Sequence, residues 1–258
     1  MTHSRVLNIL IICLVFLHSG ARAQSDAITE SKPFKIIAFD AFPIFDPRPI
    51  VASIESAFPG QGITIWNAWR TRLFEYQWLR ALGGQYENFM HAANASLEFV
   101  AMDIQLNLDP DIRNEILNEF MNLKPWPDAA ESISQLRSQG VKLVFLSNMT
   151  EQMLLRGLED SILQDHFDAI LSTDSASTYK PAADAYSIVL DRYDVSREEV
   201  LFVAFAGWDV AGAKWFGYPT FWVNRAGATL EQLGEIPDGQ SQGLAGLVQF
   251  VREHQSGF

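Results

Sequence analysis

The chain has 258 residues, of which 48% are hydrophobic and 19% charged. That supplies a real core, fits one α/β domain with an insertion or two small domains, and excludes a disordered composition. A formal net charge of −12 argues against nucleic acid and anionic membranes as partners, although a locally positive site can still take an anion.

Residues 1–23 read as a secretory signal peptide. Arg5 precedes the apolar run VLNILIICLVFL, and Ala21-Arg22-Ala23 offers a cleavage site. The run is short for a membrane span and has no amphipathic pattern. The protein is therefore expected to be exported, to the periplasm, with no stable membrane anchor after cleavage. Cys13, the one cysteine, lies inside this run. The processed chain would then carry no disulfide, no thiolate nucleophile and no cysteine metal site.

Residues 34–39 (FKIIAF) predict a buried strand ending on Asp40. The prolines of Asp46-Pro47-Arg48-Pro49 predict a turn. Residues 64–122 read as helical. Trp66, Trp69, Leu73, Tyr76 and Leu79 recur at helical spacing. A second helix is expected over 87–106, and a third after Asp109-Pro110, where Asp can cap and Pro suits the first turn.

Beyond Trp126 helices and strands alternate. Helices are expected at 129–139, 150–163, 182–193, 209–216 and 244–254. Strands are expected at 141–146, 169–171, 200–205 and 220–223. Short apolar strands between helices imply a parallel sheet covered on both faces. The fold class is α/β, with a helical insertion after the first strand. The boundaries are residues 34–46 and 125–258 for the core and 47–124 for the helical cap.

Ligands in such sheets bind at the carboxyl ends of the strands. Asp40, Ser147-Asn148, Lys180 and Asp209 all fall there, far apart in sequence but convergent in space. A carboxylate ending a buried strand is costly to desolvate and competent as a nucleophile; the structural alternative is a cap or salt bridge. Ser147 and Asn148 suit an anion or leaving group, or the cap of the next helix. Lys180 can hold a carboxylate ionised, or be an ordinary surface lysine. Asp209 can be an ordinary acid at a helix start. Arg70 can reach an anion or snorkel from an aromatic helix face.

The ordered segments FDAFPIFD, AWRTRLFEYQWLR, VFLSN, YKPAADAY and GWDVAGAKWFGYPTFWVNR resemble the type II, L-2-haloacid dehalogenases of the haloacid dehalogenase superfamily. The resemblance covers about residues 35–225. It implies a Rossmann-like core with a cap and hydrolysis of small 2-haloacids without cofactor or metal. Asp40 would attack the substrate Cα, expel halide and form an ester that water then hydrolyses. The same resemblance assigns Arg70 and Asn148 to halide handling, with Trp208 nearby. It assigns Ser147 to the substrate carboxylate, Lys180 to the nucleophile's side, Tyr186 to the active site and Asp209 to the hydrolytic water. By family analogy the cap's apolar helix face would pair two copies in a homodimer; it could equally pack on the core.

Three positions depart from that pattern. Ile44 stands where the family has a hydroxyl, and Ala204 and Ala206 stand where it has Ser and Asn. Two other functions fit the fold class. One is a magnesium-dependent phosphatase, but Phe42 replaces its usual second acid and Ala204-Phe205-Ala206 offers no carboxylate. The other is a non-catalytic protein binding a small carboxylate.

Overall fold

The computed structural model describes residues 32–159 and 161–256; the expected signal peptide lies outside them. Strand β1 (Ile36–Phe39) leads into a short strand β2 (Phe45–Asp46). Four helices follow: α1 (Arg48–Ala57), α2 (Gly62–Leu82), α3 (Phe89–Asp103) and α4 (Pro110–Asn118). Strand β3 (Lys124–Pro125) then pairs antiparallel with β2, so chain entry to and exit from the helical insertion lie side by side.

The rest alternates: α5 (Ala129–Ser138), β4 (Lys142–Ser147), α6 (Glu151–Leu158), β5 (Ala169–Ser172), α7 (Ala183–Arg192), β6 (Val200–Ala204), α8 (Gly207–Phe216), β7 (Thr220–Val223), β8 (Gly239–Ser241) and α9 (Leu244–Gln255). The sheet order is β5-β4-β1-β6-β7-β8, and every ladder in it is parallel. Strand β1 therefore lies between β4 and β6, and the residues after these three strands meet at one edge.

Side-chain alternation along the strands divides the interior into two layers. Ile37, Phe39, Leu143, Phe145, Leu201 and Val203 face one cluster. Ile36, Ala38, Val144, Leu146, Phe202 and Ala204 face the other. The first cluster continues into the insertion through Ile50, Ile65, Trp69, Leu73 and Phe89. In α2 the buried stripe is Ile65, Trp69, Leu73 and Gln77, one residue per turn. Trp69 donates from Nε1 to the Ala93 carbonyl at 2.9 Å and to Ser96 Oγ at 3.1 Å, both on α3. Trp69 thus packs inward, while Ile63, Leu79 and Leu82 of the same helix are exposed.

Several expectations are corrected. Residues 46–49 are not a free turn: Pro47 is the N-cap of α1 and Pro49 sits in its first turn, where a missing N–H costs nothing. Helix α6 stops at Leu158 rather than 163. Leu163 is fully buried but belongs to a turn, and its apolar character extended the helical pattern falsely. Ribbon β2–β3 and strand β8 are too short to leave a periodic signal. Gly140 and Gly217, with φ of 80° and 99°, end α5 and α8 as expected.

Gly157 of α6 meets the ring of Phe45, and an added Cβ would lie 2.7 Å from it. Phe45 is itself stacked on Phe145 at 5.5 Å. Gly157→Val is expected to lower the unfolding free energy by roughly 1–3 kcal/mol through overpacking, measured as a reduced denaturant midpoint.

Candidate active site

The backbone N–H of Asp40 donates to the Val203 carbonyl at 3.0 Å, which extends the β1–β6 ladder by one residue and fixes where the carboxylate emerges. Ser147 ends β4, beside it. Its hydroxyl donates to Asp40 Oδ1 at 3.3 Å and accepts the Met149 N–H at 3.2 Å. Thr150 caps α6 by accepting the Met153 N–H, so Ser147 and Asn148 are not needed as caps.

Lys180 arrives from the loop after β5. Its ammonium donates to Asp40 Oδ1 at 3.0 Å and to Asp209 Oδ2 at 2.6 Å. It also lies 4.8 Å from the centre of the Phe202 ring, a favourable cation–π position. Lys180 is only 1% exposed, and the side chain of Asp40 is 14% exposed. Burial works against the charge on Lys180, but the pull of Asp209 and then of Asp40 outweighs it and holds the ammonium above its ordinary range.

Asp209 lies in the first turn of α8 and is almost fully buried. Its Oδ1 accepts from the Tyr186 hydroxyl at 2.6 Å. Burial pushes the Asp209 carboxyl up to about 6, against the opposing pull of Lys180, and the nearby Asp40 charge adds to the rise. Tyr186 is held well above its ordinary range, first by burial and then by Asp209, so it stays a donor. At neutral pH the cluster is one ammonium between two carboxylates.

Asn148 ties three elements together. Its Oδ1 accepts the Lys180 backbone N–H at 2.9 Å and the Thr173 hydroxyl at 3.4 Å. A backbone N–H can only donate, which settles the amide orientation. Its Nδ2 donates to Gln77 Oε1 on α2 at 2.9 Å. Tyr179 adds a second tie, donating to the Glu87 carbonyl at 2.5 Å. The loop that carries Lys180 is therefore bound to the helical insertion at Tyr179 directly and at the Lys180 backbone through Asn148.

Asp40, Ser147, Asn148, Lys180 and Trp208 line one cavity of about 30 Å³. Among the described residues, Asp40 Oδ2 accepts no hydrogen bond, while Oδ1 accepts two. Trp208 packs edge-on against Phe74 and Trp78, at 5.2 and 5.6 Å, and its buried Nε1–H has no partner among the described residues. Asp209 and Tyr186 stand behind Lys180 and do not line this cavity. Arg70 is exposed and lines two larger neighbouring chambers instead. Ile44 is fully buried in the core, away from the cavity, whereas Ala206 lines it.

Gln77 and Thr173 join the site beyond the residues expected from sequence. Gln77 had a legible signal, a polar residue one turn beyond Leu73 on an otherwise apolar stripe. The aromatic walls Phe42, Phe89 and Phe205 had none, because aromatics at such positions read equally well as core.

Residues 18–217 match the haloacid dehalogenase-like hydrolase family. An (S)-2-haloacid dehalogenase from Pseudomonas sp. (strain YL) is 35% identical, over 83% of this chain and 93% of that protein. The solved L-2-haloacid dehalogenase of Xanthobacter autotrophicus superposes with a TM-score of 0.78 at 32% identity, covering 85% of this chain and 99% of that one. A structure of that dehalogenase with chloropropionic acid covalently bound gives a TM-score of 0.77 at 31% identity, covering 85% and 98%.

Removing the ammonium leaves two buried carboxylates facing each other. Lys180→Met is expected to cost roughly 3–5 kcal/mol of stability at pH 8. The sign follows from Asp209: its folded value lies above the unfolded one, so the fold is favoured at low pH and loses that stability as pH rises through about 6. The cost should shrink at pH 5, where Asp209 takes up a proton; urea unfolding at the two pH values measures the difference.

Proposed function

The chain belongs to the haloacid dehalogenase-like hydrolases, and on that premise we propose that it hydrolyses the carbon–halogen bond of 2-haloacids, with Asp40 as nucleophile. The observation that carries this reading is the division of labour within one carboxylate. Lys180 and Ser147 both hold Oδ1, and Oδ2 is left free beside a small apolar-walled cavity. An oxygen relieved of hydrogen bonds in a dry site is a better nucleophile than a solvated one.

The free oxygen attacks C2 of the acid and the C–X electron pair leaves with the halide. This forms an ester between Asp40 and C2. One displacement inverts C2, so an L-2-haloacid gives a D-2-hydroxyacid. Water then attacks the ester carbonyl carbon, which Lys180 polarises through its hydrogen bond to Oδ1. The hydroxyacid departs and the carboxylate is regenerated. Asp209, ionised above about pH 6, is the second carboxylate on Lys180 and keeps the ammonium charged and aimed at Oδ1. Its bonds to Lys180 and Tyr186 keep it oriented for that role.

The unpartnered N–H of Trp208 and the second amide N–H of Asn148 support a halide seat, because a buried donor calls for an acceptor. Family resemblance assigns the substrate carboxylate to Ser147, whose one hydroxyl proton is held by Asp40 Oδ1 before the substrate is seated. Arg70 carries the one guanidinium of the adjoining chambers with no carboxylate partner among the described residues, and it joins the anion when the substrate is seated. A phosphatase reading is weaker on donor chemistry. The space between Asp40 and Asp209 is taken by the ammonium of Lys180, and Ala206 offers no oxygen ligand. The apolar run at residues 6–17 supports export of the enzyme.

Halide release from (S)-2-chloropropionate is the direct test. Asp40→Asn is expected to reduce kcat by at least about 10³; retention of wild-type release would refute Asp40 as nucleophile.

The pH profile provides a second test. Activity should fall as pH drops below about 6, where Asp209 protonates. Tyr186→Phe removes a hydrogen bond that favours the charged form, so the acid limb should move upward by about one unit. The profile of kcat against pH measures it.

A further inference from the structure

The cavity at Asp40, about 30 Å³, holds little more than one or two waters. Beside it lies a chamber of about 410 Å³, within the size range of small-molecule sites. The two share walls: Phe42, Phe74, Phe89, Phe205 and Ala206 line both. The chamber continues outward along Trp66, Leu73, Phe120 and Trp126. Ala206 also borders a third space of about 300 Å³. Phe74 and Phe205 border all three spaces as well, so at their junction the methyl group of Ala206 is the smallest of three side chains.

The charge around the chamber bears on what it can hold. Arg48 is paired with Asp46 at 2.6 Å and Arg225 with Asp128 at 2.9 Å. Both guanidinium groups lie over the ring of Trp126, at 4.7 and 4.5 Å. Two of the three arginines are therefore neutralised and flattened against an aromatic wall. A second anionic group on the substrate finds no unpaired partner there once Arg70 has served the reacting end.

Resting on the dehalogenase reading of Asp40, we propose that this chamber is the subsite for the substituent on C2. It takes an unbranched alkyl tail of four or more carbons or an aryl-methyl group, and the enzyme prefers such 2-haloacids to 2-halopropionate. A methyl substituent touches only the shared walls near Asp40. A longer one passes Ala206 and buries its carbons against Trp66, Leu73, Phe120 and Trp126. Each methylene removed from water contributes up to about fourfold in binding.

The test is a substrate series on the full chain, with halide release from the (S) enantiomers of 2-chloropropionate, 2-chlorohexanoate and 2-chloro-3-phenylpropionate. The value of kcat/KM is expected to rise at least tenfold from propionate to hexanoate, and the phenyl acid should also exceed propionate. Ala226 and Gln242 line the chamber but not the cavity at Asp40, and both are exposed or half-exposed, so larger side chains there need not disturb folding. Ala226→Trp and Gln242→Trp should each cut the hexanoate-to-propionate ratio at least tenfold. A flat or falling wild-type series overturns the subsite, as does a ratio unchanged in both folded variants; turnover of propionate alone would still leave the dehalogenase reading intact. No halide from any acid would instead remove that reading, and the subsite with it.

Discussion

One buried ammonium group organises this protein. Lys180 sits between Asp40 and Asp209, 3.0 Å from one and 2.6 Å from the other, with almost no contact with water. An isolated charge at such depth would cost several kcal/mol. Two carboxylates and the face of Phe202 compensate that cost, and the three charges sum to one negative unit. That surplus is the chemical resource of the site. It belongs to a carboxylate whose first oxygen is held and whose second is free, and it is kept from water by Phe42, Phe74, Phe89 and Phe205.

The fold serves this arrangement at every level. Parallel pairing of β4, β1 and β6 brings Ser147, Asp40 and the start of α8 to one edge. The loop after β5 crosses that edge with Lys180. The same loop is tied to the helical insertion at two adjacent residues, Lys180 through Asn148 to Gln77 and Tyr179 to the Glu87 carbonyl. Placement of the ammonium and seating of the insertion are therefore one structural event. A disturbance of α2 at Gln77 would reach Asp40 through Asn148 and the Lys180 backbone, without any direct contact.

The features legible in the sequence are those with strong local signals. Strands β1, β4 and β6 are apolar runs, and the polar residues that end them stand out. Asp40, Ser147, Asn148 and Asp209 are identifiable for that reason, and they do converge on Lys180, which comes from the loop after β5. Arg70 and Tyr186 take their roles from resemblance, and the structure separates them from the cavity at Asp40. Tyr186 serves Asp209, and Arg70 faces the outer chambers. What the sequence hides depends on tertiary contacts: the commitment of Gln77 to Asn148, the meeting of Arg48 and Arg225 on Trp126, and the role of Ala206 at a junction of spaces. Ile44 illustrates the same point from the other side. A hydroxyl is missing there, and the side chain lies in the core without lining the cavity at Asp40.

The central claim is that Asp40 forms a covalent bond during each cycle and is released by water attack on its own carbonyl carbon. A single turnover of (S)-2-chloropropionate in heavy-oxygen water, with enzyme in excess, tests it most directly. Mass spectrometry of the peptide containing residue 40 should show one heavy oxygen gained by Asp40, and the product hydroxyl should carry ordinary oxygen. Heavy oxygen in the product with an unlabelled Asp40 would mean that water attacks the substrate directly, and Asp40 would not be the nucleophile.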